Sequence, residues 1–360
     1  MRLAMRAEVA IRGAGPAGCV LALLLHGDGR PVVLGRKRKE EGAAPPRPAF
    51  RPVALSHASR LILERVGAWR SLAPTPITTV HVSQQGGFGR TRMSAADAGV
   101  AALGYVLDYG LLLDTLFALL MERNIPVEDA PADRQLTVHA EGTSDEVKTK
   151  DYGQEAVVAL VTTRPAAEGT AWERFTPEGP LALLPLGGRY GVVWGTRPER
   201  ARELCEAPPA AFLAALAKAF GRRAGEFAAA GERSRVPLAL RVRPSRVGER
   251  AAFIGNAAQT LHPVAGQGLN LALRDAWDLA QVLHGAADPG DAVTLQRFAA
   301  LRRLDAAATV RVTDFLAGAF LGADPLGALM RGFALTALDI CLPARRFFAR
   351  RMIYGASALP

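Results

Sequence analysis

Glu8-Val9-Ala10-Ile11-Arg12-Gly13-Ala14-Gly15-Pro16-Ala17-Gly18-Cys19-Val20-Leu21-Ala22-Leu23-Leu24-Leu25 reads as a short strand (Glu8–Arg12), a glycine turn and an apolar helix, with Pro31–Leu34 following as a second strand. Gly13, Gly15 and Gly18 have the spacing that lets a backbone turn tightly, approach a pyrophosphate and pack a helix on a strand. The helix N-terminus then offers amide donors and a positive dipole end to phosphates. In a chain with 36 glycines such a turn arises easily by chance. Its place between a strand and a helix makes it informative, and it predicts the βαβ opening of a dinucleotide-binding fold.

Outward from that opening, residues 38–48 form a charged, proline-rich loop, and Ser56–Val66 is expected to be helical, ending at Gly67. Thr78–Ser83 alternates as a strand, Leu111–Met121 is a strongly apolar helix, and Leu136–His139 is a short strand inside a poorly patterned stretch. Ala156–Thr162 and Leu181–Trp194 read as strands, with turns at Glu178-Gly179-Pro180 and Gly187-Gly188. The alanine-rich stretch Ala207–Ala230 is expected to be one helix. Ala252–Ile254 is a strand leading through a glycine-containing loop to a helix, Leu269–Leu283. Everything after Val293 reads as helical, broken around Gly322–Pro325 and at Pro343.

At 360 residues, 49% hydrophobic and 22% charged, the chain is globular and long enough for one large or two intertwined domains. No stretch approaches the roughly 18 uncharged apolar residues of a membrane span. Met1–Arg6 leads straight into the first strand without a signal-peptide pattern, and Cys19, Cys205 and Cys341 have no metal or redox spacing. The expected location is the cytoplasm. A net charge of +10 fits a solvated basic surface. Nucleic acid is not expected, because no helix-turn-helix, zinc or RNP-type pattern is present and aromatics are only 6%.

A second cluster is more specific: Phe253-Ile254-Gly255-Asn256-Ala257-Ala258-Gln259-Thr260-Leu261-His262-Pro263-Val264-Ala265-Gly266-Gln267-Gly268-Leu269-Asn270-Leu271-Ala272-Leu273-Arg274-Asp275-Ala276. A strand ends at a short polar side chain, and a glycine-rich turn feeds a second helix N-terminus. This string closely resembles the second flavin motif of the 2-octaprenyl-6-methoxyphenol hydroxylases, the ubiquinone-biosynthesis branch of the FAD-dependent class A aromatic hydroxylase family. Ordered matches run along the chain: Ile77–Ser83, Asp151–Gln154, Glu173–Ala182 and Pro237–Leu240. A nicotinamide dehydrogenase would share the first glycine motif but not this string.

The resemblance implies an α/β fold: a Rossmann-like FAD-binding domain built from residues 1–150 and 240–290, an inserted antiparallel-sheet substrate domain (151–239) and a helical C-terminus (291–360). It assigns Gly13, Ala14, Gly15, Pro16, Ala17 and Gly18 to the pyrophosphate of FAD, and Arg51 to the pyrophosphate and flavin. Gly255 and Asn256 fall near the ribityl and phosphate groups. Pro263, Gly266, Gln267, Gly268, Leu269 and Asn270 run along the isoalloxazine ring. His262 reads as a turn-stabilising residue. No catalytic side chain and no metal set is identified, because the chemistry belongs to the cofactor. NAD(P)H is the implied electron donor, dioxygen the co-substrate, and a polyprenyl phenol the substrate, hydroxylated through a flavin C4a-hydroperoxide.

Four departures from the family pattern concentrate on the AMP half of FAD. Gly35 stands where an acid binds the ribose, and Arg12 stands where a small apolar residue is usual. The region from Arg123 to Glu141 is short, and Ala140-Glu141-Gly142 replaces Ala-Asp-Gly. Losing the ribose contact costs about 1–3 kcal/mol, so Gly35→Glu is expected to tighten FAD. An alternative reading is a non-catalytic paralogue, a structural component of a ubiquinone-biosynthesis complex.

The C-terminal region combines apolar residues (Phe315, Leu316, Phe320, Leu321, Leu326, Leu329 and Met330) with Arg345, Arg346, Arg350 and Arg351 interleaved with Phe347, Phe348 and Met352. A basic amphipathic helix of this kind predicts peripheral contact with the anionic inner membrane. The same residues could instead cap the flavin domain's core.

Overall fold

The computed structural model describes residues 8–36, 50–142, 147–319 and 325–355. A six-stranded sheet runs in the order Val247–Gly248, Ala251–Phe253, Leu136–His139, Val9–Arg12, Val32–Gly35, Val127–Glu128. Val9 pairs in parallel with both Val32 and Leu136, and only Val247–Gly248 runs antiparallel. Such a sheet is covered on both faces, which is why its strands are continuously apolar. The helix Pro16–Gly27 is buried from Pro16 through Leu25, as an all-round apolar helix must be. It packs against Tyr109–Glu122 and Gln267–Leu283 in one core.

A second, eight-stranded sheet has the order Gln259–Thr260, Glu226–Val242, Lys148–Arg164, Arg189–Thr196, Gly179–Leu186, Thr170–Thr176, Thr79–Gln84, Arg90–Ser94. One face is packed by the helices Pro198–Glu206 and Pro209–Phe220, which bury Val157, Leu181, Leu183, Val192 and Trp194. The other face meets a small sheet of Pro52–Ser56, Gly104–Asp108 and Thr75–Ile77. The contact is close: a Cβ added to Gly191 would sit 2.6 Å from the Pro52 Cβ. Residues 79–94, grouped from sequence with 1–150, therefore lie in the second sheet.

Most elements fall where the patterns put them, including the helix His57–Arg65, N-capped by the Ser56 hydroxyl accepting from Ser59 N–H. The single helix expected over Ala207–Ala230 is not formed. Its helical part stops at Phe220, where Gly221 takes φ +86. Gly225 (φ +94) then turns the chain into the strand Glu226–Val242, whose Glu226 pairs with Arg164. The strand ladder overrides the helix propensity of Ala228-Ala229-Ala230. At the C-terminus the helices are Ala292–Ala319, Pro325–Ile340 and Leu342–Tyr354, with Pro343 in the first turn of the last. The expected apolar residues Phe320 and Leu321, and the loop read over 38–48, lie outside the described residues.

Candidate active site

The first glycine turn and the second motif meet at one joint. A Cβ on Gly255 (φ +55) would lie 3.3 Å from the Ala17 Cβ, 3.3 Å from the Ala140 carbonyl and 3.5 Å from the Ala272 Cβ. Helix Pro16–Gly27, the end of strand Leu136–His139 and helix Gln267–Leu283 thus converge on this glycine, and any side chain would push them apart. Gly18 is equally constrained: a Cβ there would be 1.9 Å from the Gly13 carbonyl. Ala14, Pro16 and Ala17 are buried, so the helix start is built from small groups.

Gly15 differs. It is the extended residue before the helix, without a side-chain cap, and a Cβ on it would meet only the Tyr109 hydroxyl, at 3.9 Å. The Arg51 guanidinium stacks 4.9 Å from the centre of the same tyrosine's ring. Arg51 is held there by its backbone: its N–H donates to the Asp108 carboxylate (3.1 Å), and its carbonyl accepts from Tyr109 N–H (2.9 Å). An open space bordered by helix amides and a guanidinium is suited to a pyrophosphate. The residues present fit that part of a dinucleotide cofactor.

At the second motif, Gly266 (φ +60) precedes the helix Gln267–Leu283, and a Cβ on it would touch that of Ala54 at 3.3 Å. Asn270 is buried, and its amide group is fully used. Its Oδ1 accepts from Ser56 N–H and the Ser59 hydroxyl, both at 2.7 Å, while its Nδ2 donates to the carbonyls of Ala54 (2.9 Å) and Gly266 (2.8 Å). Asn270 therefore ties the loop to strand Pro52–Ser56. Pro263, Gly268 and Asn256 are exposed, and a Cβ on Gly268 would meet nothing within 4 Å. Leu269 is half-buried against the core, and Gln267 is buried with its Nε2 3.9 Å from the Met352 sulfur. His262 is wholly buried; its Nδ1 accepts from Val264 N–H at 3.1 Å, closing the turn. Burial holds its imidazole down to about 4, so it is neutral.

Behind the loop lies a buried ionic network that the sequence did not signal. Arg302 donates to Asp275 (2.8 Å), Asp278 (2.7 Å) and Asp305 (2.7 Å), and Arg274 donates to Asp305 (2.8 Å). Asp275 also accepts from Gly255 N–H and Gln259 Nε2, clamping the 255–259 turn to its helix. Burial opposes ionisation of Asp275, but Arg246 and Arg302 outweigh it and hold the carboxyl below its ordinary range. Tyr109, which joins Arg51 to Gly15, was likewise not singled out, because an aromatic at a helix start carries no pattern of its own.

The AMP half is rebuilt. A Cβ on Gly35 would lie 2.7 Å from Pro131 Cδ, and Arg12 pairs with Asp133 at 3.0 Å while reaching the Pro131 carbonyl. The short segment 129–135 thus folds over the end of the second strand. The structure opposes the expectation that Gly35→Glu restores a ribose contact, since the Pro131 ring stands where the side chain would begin. Glu141 crosses Gly13 so closely that a Cβ there would be 2.5 Å from its Cγ.

A parallel nucleotide-type sheet joined through these two loops to an antiparallel sheet is the architecture of a FAD-dependent monooxygenase, and the chain belongs to the FAD-binding domain family, whose model matches residues 128–313. It is similar to the ubiquinone hydroxylase UbiL of Rhodospirillum rubrum, at 31% identity over 96% of this chain and 89% of that one. It also resembles the 3-demethoxyubiquinol 3-hydroxylase of Escherichia coli, at 29% identity over 79% and 81% of the two chains. The fold matches p-nitrophenol 4-monooxygenase PnpA of Pseudomonas putida with a TM-score of 0.74 at 16% identity, covering 96% and 97% of the chains. It also matches a FAD-complexed variant of HpxO from Klebsiella pneumoniae with a TM-score of 0.73 at 15% identity, covering 96% and 99%.

Proposed function

We propose that the protein hydroxylates the aromatic ring of a polyprenyl phenol in ubiquinone biosynthesis, with NAD(P)H supplying electrons and dioxygen the added oxygen. What carries this reading is the joint at Gly255, where both cofactor-type loops meet in a chain whose relatives are named as ubiquinone-pathway hydroxylases. Those names favour catalysis over a scaffolding role in a biosynthetic complex. When bound and reduced, FAD supplies the oxygen-activating chemistry. In this reading the amides of Gly13 to Gly18 and the Arg51 guanidinium hold the pyrophosphate, while Gly255 and Asn256 attend the ribityl end. The ring lies along Pro263 and Gly266 to Leu269. Asn270 acts one step back, fixing the loop's shape. The antiparallel sheet covers the ring and excludes water. The test is to supply the purified protein with FAD, NADH, a prenylated phenol and isotopically labelled dioxygen. Labelled oxygen in the product supports the proposal; consumption of NADH without labelled product opposes it.

The C-terminal helices are proposed to rest peripherally on the inner membrane, on its cytoplasmic side. Phe315 (69% exposed), Leu326, Met330, Phe333, Ile340 (78%) and Phe347 (62%) present apolar surface outward. Arg346, Arg350 and Arg351 are exposed beside them. Not every expected residue joins this surface. Leu316 packs toward Phe175 and Val264, Phe348 toward Met93, and Arg345 pairs with Asp97 at 3.3 Å. No single described helix is long and apolar enough to cross a membrane; Leu326–Ile340 and Leu342–Tyr354 pass that test only together, bent by 95°. Sedimentation with anionic liposomes distinguishes the cases: Phe333→Asp with Ile340→Asp should abolish binding, and unchanged binding would refute the contact.

A further inference from the structure

The strand Thr170–Thr176 alternates between two unlike surroundings. Trp172 and Arg174 look toward the helix-covered face: the Trp172 ring meets Phe220 edge-on, and Arg174 donates to the Ala219 carbonyl (3.1 Å) and the Ser83 hydroxyl (3.3 Å). Ala171 and Phe175 look the other way, Ala171 onto Ile77 and Ala54, Phe175 onto Val264. The two-residue period of a strand puts Glu173 between them. Its carboxyl therefore faces the same side as Ala171 and Phe175, toward strand Pro52–Ser56, the turn Pro263–Gly266 and the helix residues Leu316 and Ala317, beside the proposed flavin position.

That surface gives the carboxyl no partner. Its cross-strand neighbours are Val82 and Ala182, and Ala182 pairs in turn with Val193. Gly191 follows on the same face. Among the described residues no hydrogen bond or ion pair engages the Glu173 carboxyl. The residue lies deep in the protein yet keeps accessible surface, as a group lining an internal cleft does and one packed into a core does not. Unpaired carboxyls at such depth are rare outside functional sites.

We propose that Glu173 receives the phenolic hydroxyl of the aromatic substrate and takes up its proton. This rests on the reading of the protein as a phenol hydroxylase and assigns that site a proton acceptor. As the phenolic O–H bond breaks, the proton passes to a Glu173 oxygen, and the electron pair stays on the phenolic oxygen and is shared into the ring. The ring carbon that takes the new oxygen becomes more electron-rich. When that carbon loses its own proton to solvent and the ring regains aromaticity, Glu173 returns its proton to the phenolic oxygen. No oxidant beyond those of the proposed hydroxylation is needed.

The surroundings suit that task. Burial pushes the Glu173 carboxyl up to about 7, close to the pH at which a general base works best. Helix Leu342–Tyr354, which packs on Val80 and Val82, brings Tyr354 to the same side, its ring edge-on to His57. At the Phe175 end stand the neutral His262 and Tyr152, whose hydroxyl donates to Asp314, itself paired with Lys150. Strand Pro52–Ser56 brings none, and Arg51 before it stacks on Tyr109. His81, Arg90 and Arg174 belong to the sheet's opposite face, with Arg223 beside them.

The experiment uses FAD-loaded protein and two probes, 2-geranylphenol and its O-methyl ether, with binding measured by calorimetry on both sides of neutral pH. Wild type should bind the phenol about tenfold more tightly above the Glu173 pKa than below it, and the ether without pH dependence. Glu173→Gln should keep its FAD, bind the ether normally and the phenol weakly, with a flat pH profile; Glu173→Asp should retain part of the dependence. A Glu173→Gln protein with the wild-type phenol profile, or one that loses phenol and ether alike, overturns the proposal. A wild type whose phenol binding does not vary with pH overturns it without any variant. If wild type binds neither probe, the substrate reading falls as well.

Discussion

The Pro131 ring occupies the space into which any side chain at Gly35 would grow, with Cδ 2.7 Å from the position of a Cβ there and the Ile11 carbonyl 3.2 Å from it. Gly35→Glu is therefore predicted to destabilise the fold by about 1–3 kcal/mol through overpacking, and to weaken FAD binding. Thermal melts and a flavin-fluorescence titration check both effects. Tighter FAD binding by the single variant would mean that the segment around Pro131 yields easily.

Asn270 has no spare hydrogen-bonding capacity, so Asn270→Ala should act through the loop. It strands the buried Ser59 hydroxyl and frees Gly266 from strand Pro52–Ser56, at a cost of about 2–4 kcal/mol. The expected result is a lower melting temperature without FAD and a Kd for FAD raised at least tenfold. Asn270→Asp keeps the acceptor but loses both donors, and should recover less than half of the loss.

Removing Arg302 takes the cation from Asp278 and leaves Asp275 and Asp305 with Arg246 and Arg274 as partners. Arg302→Met should cost about 3–5 kcal/mol, measured by urea unfolding. The same variant should loosen the 255–259 turn, because Asp275 holds the Gly255 N–H.

His262 sets an acid limit. Folded, its imidazole titrates near 4, and unfolded near the ordinary 6.5. As pH falls the unfolded chain takes up the proton first, so the stability from keeping His262 neutral is complete above 6.5 and is lost progressively between 6.5 and 4. The loss is on the order of 3 kcal/mol. His81, also held near 4 by burial and then by Arg223, Arg90 and Arg174, adds to the same slope. His262→Asn keeps an acceptor for Val264 N–H and should flatten the pH dependence of the melting temperature across that window.

Both cofactor loops were legible in the sequence because each depends on glycines at positions where a Cβ would collide, as at Gly18 and Gly255. An apolar run and a glycine stop revealed the helices Tyr109–Glu122 and His57–Arg65, read from the sequence as Leu111–Met121 and Ser56–Val66. What was not legible depends on contacts between distant segments. Strand Glu226–Val242 gains its conformation only by pairing with Lys148–Arg164. Arg302 and Asp275 are 27 residues apart and look like surface charges until their helices pack. Glu173 stood inside a recognised segment, but its facing depends on which side of the sheet the helices cover. Arg12 stood out as a charge at a usually apolar position, and its partner, Asp133, comes from a segment 121 residues away.

The open space beside Gly15 is the place where the cofactor reading is most exposed to test. Purified wild-type protein should be yellow and release stoichiometric FAD on denaturation, whereas Gly15→Leu, whose Cβ would meet only the Tyr109 hydroxyl at 3.9 Å, should fold with a similar melting temperature and remain colourless. A colourless wild type that takes up no added FAD, or a Gly15→Leu protein as fully loaded as wild type, would contradict the account.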